Sequence, residues 1–358
     1  MDYYRLTRIL GLKAIFNLLI GQRSNGKSFS VKEECTKEAF LGLGKFIYLR
    51  RWDLELKQDD MQDYFLDCPV SEITGGQYNY IECYRKRFYL ANIDSDGKID
   101  RGPIVGRAAS LSSAEHLKSV IQRGEYKNVI FEEFCTDSGY LRNEPNKLMH
   151  FVATVFGTKN TGRVWMIGNT ISRYNPYFYT WQLRNIQKMA PGDLDLYEFT
   201  TDEGNKIRVA VEFCSTMKNS NTMYFGDSAA QITTGVWETE SQPSIPEDFG
   251  KFSVIYSIFM QQENFFFLLK IIKNAADEML LLVAPAEEND REKTARKISD
   301  VVSGDPMATE TLVPLTPGDK LTLHLFHLGK IVYANNLTGS DFKSIIRSKG
   351  KLLPMNSM

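Results

Sequence analysis

The stretch Ala14-Ile15-Phe16-Asn17-Leu18-Leu19-Ile20-Gly21-Gln22-Arg23-Ser24-Asn25-Gly26-Lys27-Ser28 decides how this chain is read. Its first half, a short apolar run ending at a glycine, reads as a buried strand. Its second half, Gly21, Gln22, Arg23, Ser24, Asn25, Gly26, Lys27 and Ser28, fits GxxxxGK[ST] without substitution. Residues 28–41 then mix Phe29, Val31, Cys35, Ala39 and Phe40 with charge and read as a helix closed by Gly42 and Gly44. Strand, loop and helix in that order give the pattern its meaning. Glycines let successive N–H groups turn inward around phosphates. The helix then aims its positive end at the β-phosphate. Lys27 is expected on the β/γ-phosphates, and the Ser28 hydroxyl on Mg²⁺. This predicts a nucleoside-triphosphate site.

Such a site needs acids at the tip of a second buried strand, and Asn128-Val129-Ile130-Phe131-Glu132-Glu133 supplies them. Glu132 is expected to hold the hydrated metal and Glu133 to orient and deprotonate the attacking water. Many P-loop proteins carry Asp at the first position. Glu132 is one methylene longer, which moves its carboxylate by about 1.5 Å. About 105 residues separate Lys27 from Glu132, with a strand read at 45–50 between them. That spacing favours the P-loop branch with an added strand and a catalytic glutamate. A further strand, residues 163–167, runs into Gly168-Asn169-Thr170. Asn169 is the candidate γ-phosphate sensor, a plain turn asparagine being the alternative.

Strands and helices alternate from residue 14 to about 170, which predicts an α/β domain with a mainly parallel sheet. Residues 72–107 interrupt it with short β-prone pieces and read as an antiparallel inserted hairpin region. Residues 111–123 read as a helix. The expected division is an ATPase domain over 1–203, a linker region over 204–246 and a small α+β domain over 247–358. The last opens with strands near 252–260, 265–272 and 278–283. Charge-dense residues 287–297 read as a solvated helix face. His324 and His327 read as lying in a strand, facing opposite sides.

Composition narrows the classes. The 358 residues carry 43 Lys+Arg against 44 Asp+Glu, a net charge of −1, so the chain does not coat nucleic acid by bulk charge. With 43% hydrophobic and 24% charged residues the composition is globular. No apolar run approaches the ~20 residues of a membrane span, and Met1 to Arg5 lacks a signal-peptide layout. The expectation is a protein that is neither secreted nor membrane-bound. Five scattered cysteines without a CxxC pair argue for a reducing compartment and against a disulfide framework or a zinc site.

Taken together, IGQRSNGKS, KFIYLRR, NVIFEEF, GRVWMIGN and RYNPYF resemble, in order and spacing, the genome-packaging ATPases of the phi-twenty-nine type of small tailed phages. The likeness covers roughly residues 10–180. It implies an ATP- and Mg²⁺-dependent, terminase-like motor of the P-loop ASCE superfamily. It further implies a homo-oligomeric ring, pentameric in the family, on the portal of an empty capsid in the host cytoplasm. There the ring drives double-stranded DNA inward; whether a structural RNA takes part is left open. The resemblance also implies an RNase H-like C-terminal domain that has lost its catalytic acids. Strands 251–258 and 280–283 carry no Asp or Glu, so no nuclease activity is expected. The family's arginine-rich loop reads here Gly157-Thr158-Lys159-Asn160-Thr161-Gly162-Arg163, and Asp53 stands where the family has a lysine. The residue that would reach a neighbouring subunit's ATP is open among Lys159, Arg163, Arg50 and Arg51.

A motor indifferent to sequence should touch phosphates and not bases. Lys98, Arg101 and Arg107 of the inserted region are the candidate DNA contacts. Lys98 stands at the tip of Asp94-Ser95-Asp96-Gly97-Lys98, a hairpin turn and not a calcium loop, because Pro103 occupies the twelfth position. The alternatives to a packaging motor are a nucleotide-gated assembly protein with negligible turnover and another P-loop translocase or helicase.

Overall fold

The structure is a computed structural model and describes residues 4–114, 124–136, 139–157, 162–170, 173–201, 204–215, 242–262, 265–294, 296–299 and 316–349. These fall into two compact units. One holds the described residues up to 215 except 173 and 174; the other holds those two and everything from 242 onward. Among the described residues no helix is long and apolar enough to cross a membrane.

Among the described residues the first unit is built on nine strands: β1 (Phe16–Gly21), β2 (Lys45–Arg50), β3 (Tyr80–Tyr84), β4 (Arg87–Ile93), β5 (Ile99–Ser110), β6 (Tyr126–Glu132), β7 (Arg163–Asn169), β8 (Leu194–Thr200) and β9 (Lys206–Phe213). Their order is β3-β4-β5-β2-β6-β7-β1-β9-β8. The pairs β2–β5, β2–β6, β6–β7, β7–β1 and β1–β9 are parallel. β7 therefore separates the loop-bearing strand β1 from the acid-bearing strand β6, as expected of the added-strand branch. Alternation explains why the middle strands read as continuous apolar runs. Leu18, Ile20, Val129, Phe131, Val164 and Met166 pack on one face with Leu148, Phe151 and Val155. Leu19, Ile130, Trp165 and Ile167 pack on the other with Val31 and Cys35. A sheet covered on both faces has no polar side to show.

Among the described residues six helices accompany this sheet: α1 (Thr7–Gly11), α2 (Lys27–Phe40), α3 (Gln58–Tyr64), α4 (Val70–Ile73), α5 (Glu144–Phe156) and α6 (Pro176–Thr180). Two expectations change. The inserted region has the expected antiparallel pairs, β4 against both β3 and β5, but it is no separate hairpin: β5 continues to Ser110 and joins β2 in parallel, extending the main sheet. Nor does the first unit end at residue 203. β9 lies in the expected linker region yet pairs with β1, whose second edge would otherwise leave buried N–H and C=O groups unpaired. Of the expected helix at 111–123, residues 115–123 lie outside the described residues, as does Lys159.

The second unit contains β10 (Phe252–Gln262), β11 (Phe265–Asn274), β12 (Met279–Pro285), β13 (Arg296–Ser299) and β14 (Ile331–Tyr333), ordered β13-β10-β11-β12-β14. The first three form the expected antiparallel meander, and β13 runs parallel to β10. That much suits an RNase H-like layout, whereas β14 sits beside β12. Helices Pro317–His327 and Asn336–Lys349 belong to the same unit, with Phe342 edge-on to Phe267 at 5.4 Å. His324 and His327 lie in the last turn of the first of these helices and not in a strand. The charge-dense segment forms a single helical turn, Asp290–Lys293, before β13, so it is not one solvated helix face.

Candidate active site

Parallel strands put all their C-terminal ends along one edge of the sheet, where ligand crevices of open α/β folds form. Gly21 of β1 lies in register with Asn169 of β7, and Glu132 of β6 with Ile167 of β7. Between these tips opens a cavity of about 880 Å³ lined by Arg23 to Phe29, Asp67, Glu132, Glu133, Cys135, Thr136 and Ile167 to Asn169. The sheet thus brings Lys27, Ser28, Glu132, Glu133 and Asn169 onto one pocket.

The loop after β1 is bent as an anion cradle requires. Ser24 and Gly26 take left-handed backbone angles, φ +57° and +95°, which turn successive N–H groups to one side. Gly21, at φ +139°, passes so close to Cys214 that a Cβ would stand 3.1 Å from its carbonyl oxygen. Lys27 is buried, and its Nζ donates to the carbonyls of Gly21 (3.3 Å) and Gln22 and to Asn25 Oδ1 (3.2 Å). Burial pulls its pKa down, opposed by Cys214 and Glu132. Two more buried polar atoms in the loop, Gln22 Oε1 and Asn25 Nδ2, have no partner among the described residues. Unpaired buried polar atoms are expensive, and here they belong to a loop whose shape suits an anion. The N-terminus braces the loop: the Tyr4 N–H donates to the Asn25 carbonyl (3.0 Å), the Ser30 hydroxyl to the Tyr4 carbonyl, and the Tyr4 hydroxyl to buried Glu212 (2.7 Å).

The two acids differ sharply. Glu132 is 7% exposed and accepts from the Tyr64 hydroxyl at 2.6 Å, and Ser28 lines the same cavity. Burial raises its pKa, with Tyr64 and Ser28 pulling the other way. Carboxylate and hydroxyl are hard oxygen donors, a pair that suits Mg²⁺. Glu133 is exposed and salt-bridged to Arg50 Nη2 at 2.7 Å, an arginine that also holds Glu55 at 2.9 Å. Its backbone is left-handed, φ +55°, a conformation that costs a side-chain-bearing residue roughly 1–3 kcal/mol and recurs at functional sites.

Arg51 fixes that turn from below. Its Nη1 donates to the Glu133 carbonyl (3.1 Å), its Nη2 to that of Phe134 (2.9 Å) and its Nε to Glu144 (2.8 Å). Glu144 also accepts from the Tyr177 hydroxyl at 2.9 Å, and Asn175 caps the helix that carries Tyr177 by accepting from its N–H, also at 2.9 Å. The FIYLRR and NPYF segments therefore meet in one buried network under the acid doublet.

Other candidates fall elsewhere. Arg51, 3% exposed, is enclosed by its own subunit and cannot reach a neighbour. Arg163 stands at the opposite end of β7 from Asn169, roughly 20 Å away at about 3.3 Å per residue, and pairs with Glu38 and Glu34 of α2. Lys98 is exposed in the Asp94–Lys98 turn, whose Asp94 Oδ1 accepts from the N–H groups of Asp96 and Lys98. Arg101 is engaged by Glu82 and lies 4.1 Å over the Tyr84 ring. Arg107 is half-buried in β5. Sequence reasoning missed Tyr64, Tyr4 and the anchoring role of Arg51. Nothing in the local pattern around Tyr64 signals its role, because α3 carries no motif.

A family model for the Podovirus DNA encapsidation protein (Gp16) matches residues 1–221. The chain belongs to that family. The matched segment includes the loop, both acids and β9, so it runs through the described part of the first unit. The DNA packaging protein of Bacillus phage B103 is 32% identical over 173 residues, 48% of this chain and 49% of that protein. The DNA packaging protein of Bacillus phage phi29 is 31% identical over 188 residues, 51% of this chain and 50% of that protein. The chain spans about half the length of these curated relatives. The solved Phi-28 gp11 DNA packaging motor covers 97% of this chain and 97% of its own at a TM-score of 0.51 and 16% identity, a likeness of fold. The architecture is thus that of a P-loop α/β domain followed by a smaller mixed-sheet domain.

Proposed function

We propose that this chain binds and hydrolyses ATP and uses the hydrolysis to drive double-stranded DNA into a preformed capsid. It would act as a homo-oligomeric ring at the portal, in the host cytoplasm. The observation that carries this reading is the single cavity that joins the anion-shaped loop and Lys27 to the acid doublet. In the proposed site, loop amides and Lys27 exchange their internal hydrogen bonds for phosphate oxygens. Ser28 and Glu132 would hold Mg²⁺, which when bound neutralises charge developing on the phosphates. Asn169, at the tip of the strand between the two motifs and in register with Gly21, would sense the γ-phosphate. Glu133 would orient and deprotonate the attacking water, a general-base contribution of about 10²–10⁴ in rate. A basic group from a neighbouring subunit, with Lys159 as one candidate, would complete the site. Among the proposed DNA contacts, Lys98 and Arg101 are exposed, and Arg101 is engaged in an internal pair with Glu82.

A second reading draws on the Arg50–Glu133 salt bridge: a carboxylate engaged by arginine is not turned to an attacking water, as in a nucleotide-gated assembly protein with negligible turnover. Steady-state ATP hydrolysis by the whole chain, with and without double-stranded DNA and proheads, separates the two. The motor reading expects DNA- and prohead-stimulated multiple turnover, lost in Lys27→Ala together with nucleotide binding, and no strand displacement. Wild-type turnover in Lys27→Ala would contradict it.

A further inference from the structure

Glu132 departs from the shorter acid common at its position, and the structure shows what its longer arm reaches. The Tyr64 hydroxyl donates to Glu132 Oε1 at 2.6 Å. Tyr64 comes from α3, remote from both motifs in sequence, and its ring is held on several sides. It packs 4.5 Å from Tyr48 of β2 and edge-on to Phe65 at 5.0 Å. Lys32, one turn beyond Ser28 on α2, lies 4.6 Å over the ring, donates to the Tyr64 carbonyl at 2.6 Å and pairs with Asp67. The loop's own helix therefore anchors the residue that grips the metal-side acid.

We propose that Tyr64 is a positioning residue: its hydroxyl holds the Glu132 carboxylate in place toward Ser28, so that Mg²⁺ meets a preset pair of oxygens. This rests on the nucleotide-site reading above. Partners that orient a ligating carboxylate typically change metal affinity 10–100-fold when removed. The ring already sits in a fixed slot, so Tyr64→Phe deletes one oxygen while keeping the packing.

The test is equilibrium binding of a non-hydrolysable ATP analogue to the full chain, titrated with Mg²⁺ and repeated in EDTA. Tyr64→Phe should raise the Mg²⁺ concentration needed for half-maximal binding about 10-fold and leave binding in EDTA unchanged. Glu132→Asp retracts the carboxylate by about 1.5 Å, beyond the hydroxyl's reach, so adding Tyr64→Phe to it should produce no further loss. An unchanged Mg²⁺ requirement, an equal loss in EDTA, or full additivity of the two substitutions would each overturn the assignment. If the wild type binds no analogue at all, the nucleotide-site reading fails first and this inference with it.

Discussion

Glu133 and Arg51 show how the candidate site is held at the scale of single residues. The left-handed turn at Glu133 is not a conformation a glutamate adopts unaided. Two guanidinium N–H groups of Arg51 on the Glu133 and Phe134 carbonyls hold it there. Arg51→Met would leave the Glu144 carboxylate, fully buried, without its cation. Breaking one side of a buried pair costs about 3–5 kcal/mol. Denaturant unfolding of Arg51→Met should show a loss of that size in the transition of the first unit. A midpoint equal to wild type would mean that the network is not holding the turn. The paired arginines were visible in the sequence, but the burial that keeps Arg51 within its own subunit was not. It depends on Glu144 and Tyr177, far along the chain.

At the scale of elements, legibility followed locality. β1, α2, β2, β6 and β7 were readable because glycine stops and apolar runs mark them within their own few residues. β8, β13, β14 and the short helices α1, α3 and α4 were not, since each is too short, or too mixed with charge, for periodicity to register. The helix Pro317–His327 is instructive. Its start is written in Thr316-Pro317-Gly318-Asp319, a capping box with proline in the first turn, a signal that the alternating pattern around His324 obscured. The Thr316 side chain accepts from the Asp319 N–H at 3.1 Å, and Asp319 answers onto the Thr316 N–H at 2.9 Å. Thr316→Ala should lower the stability of the second unit by about 1 kcal/mol, read as a shift in its thermal transition. No shift would show that the cap is dispensable.

For the whole molecule, the two units differ in what tunes them. In the second, burial raises the carboxyl pKa of Asp341 to about 6, with Arg173 pulling the other way. A folded-state pKa above the unfolded value near 3.9 means that the folded form binds the proton more tightly. The stabilisation present at low pH is therefore lost as pH rises through about 6. Asp341→Asn should accordingly raise the stability of this unit at pH 7.5 by about 2–3 kcal/mol. That gain should fade as pH drops toward 4; a gain independent of pH would refute the assignment. The first unit was the more legible of the two because a phosphate loop and an acid pair constrain the strands that carry them. The second unit carries no such motif. The boundary between the units was misplaced because β9 finds its partner about 190 residues earlier in β1, and pattern alone cannot show a pairing of that range. The most direct test of the central claim is single-turnover hydrolysis of bound ATP by Glu133→Gln beside the wild type, with DNA present. The account predicts retained nucleotide binding with phosphate release slowed by about 10²–10⁴; phosphate release at the wild-type rate would contradict it.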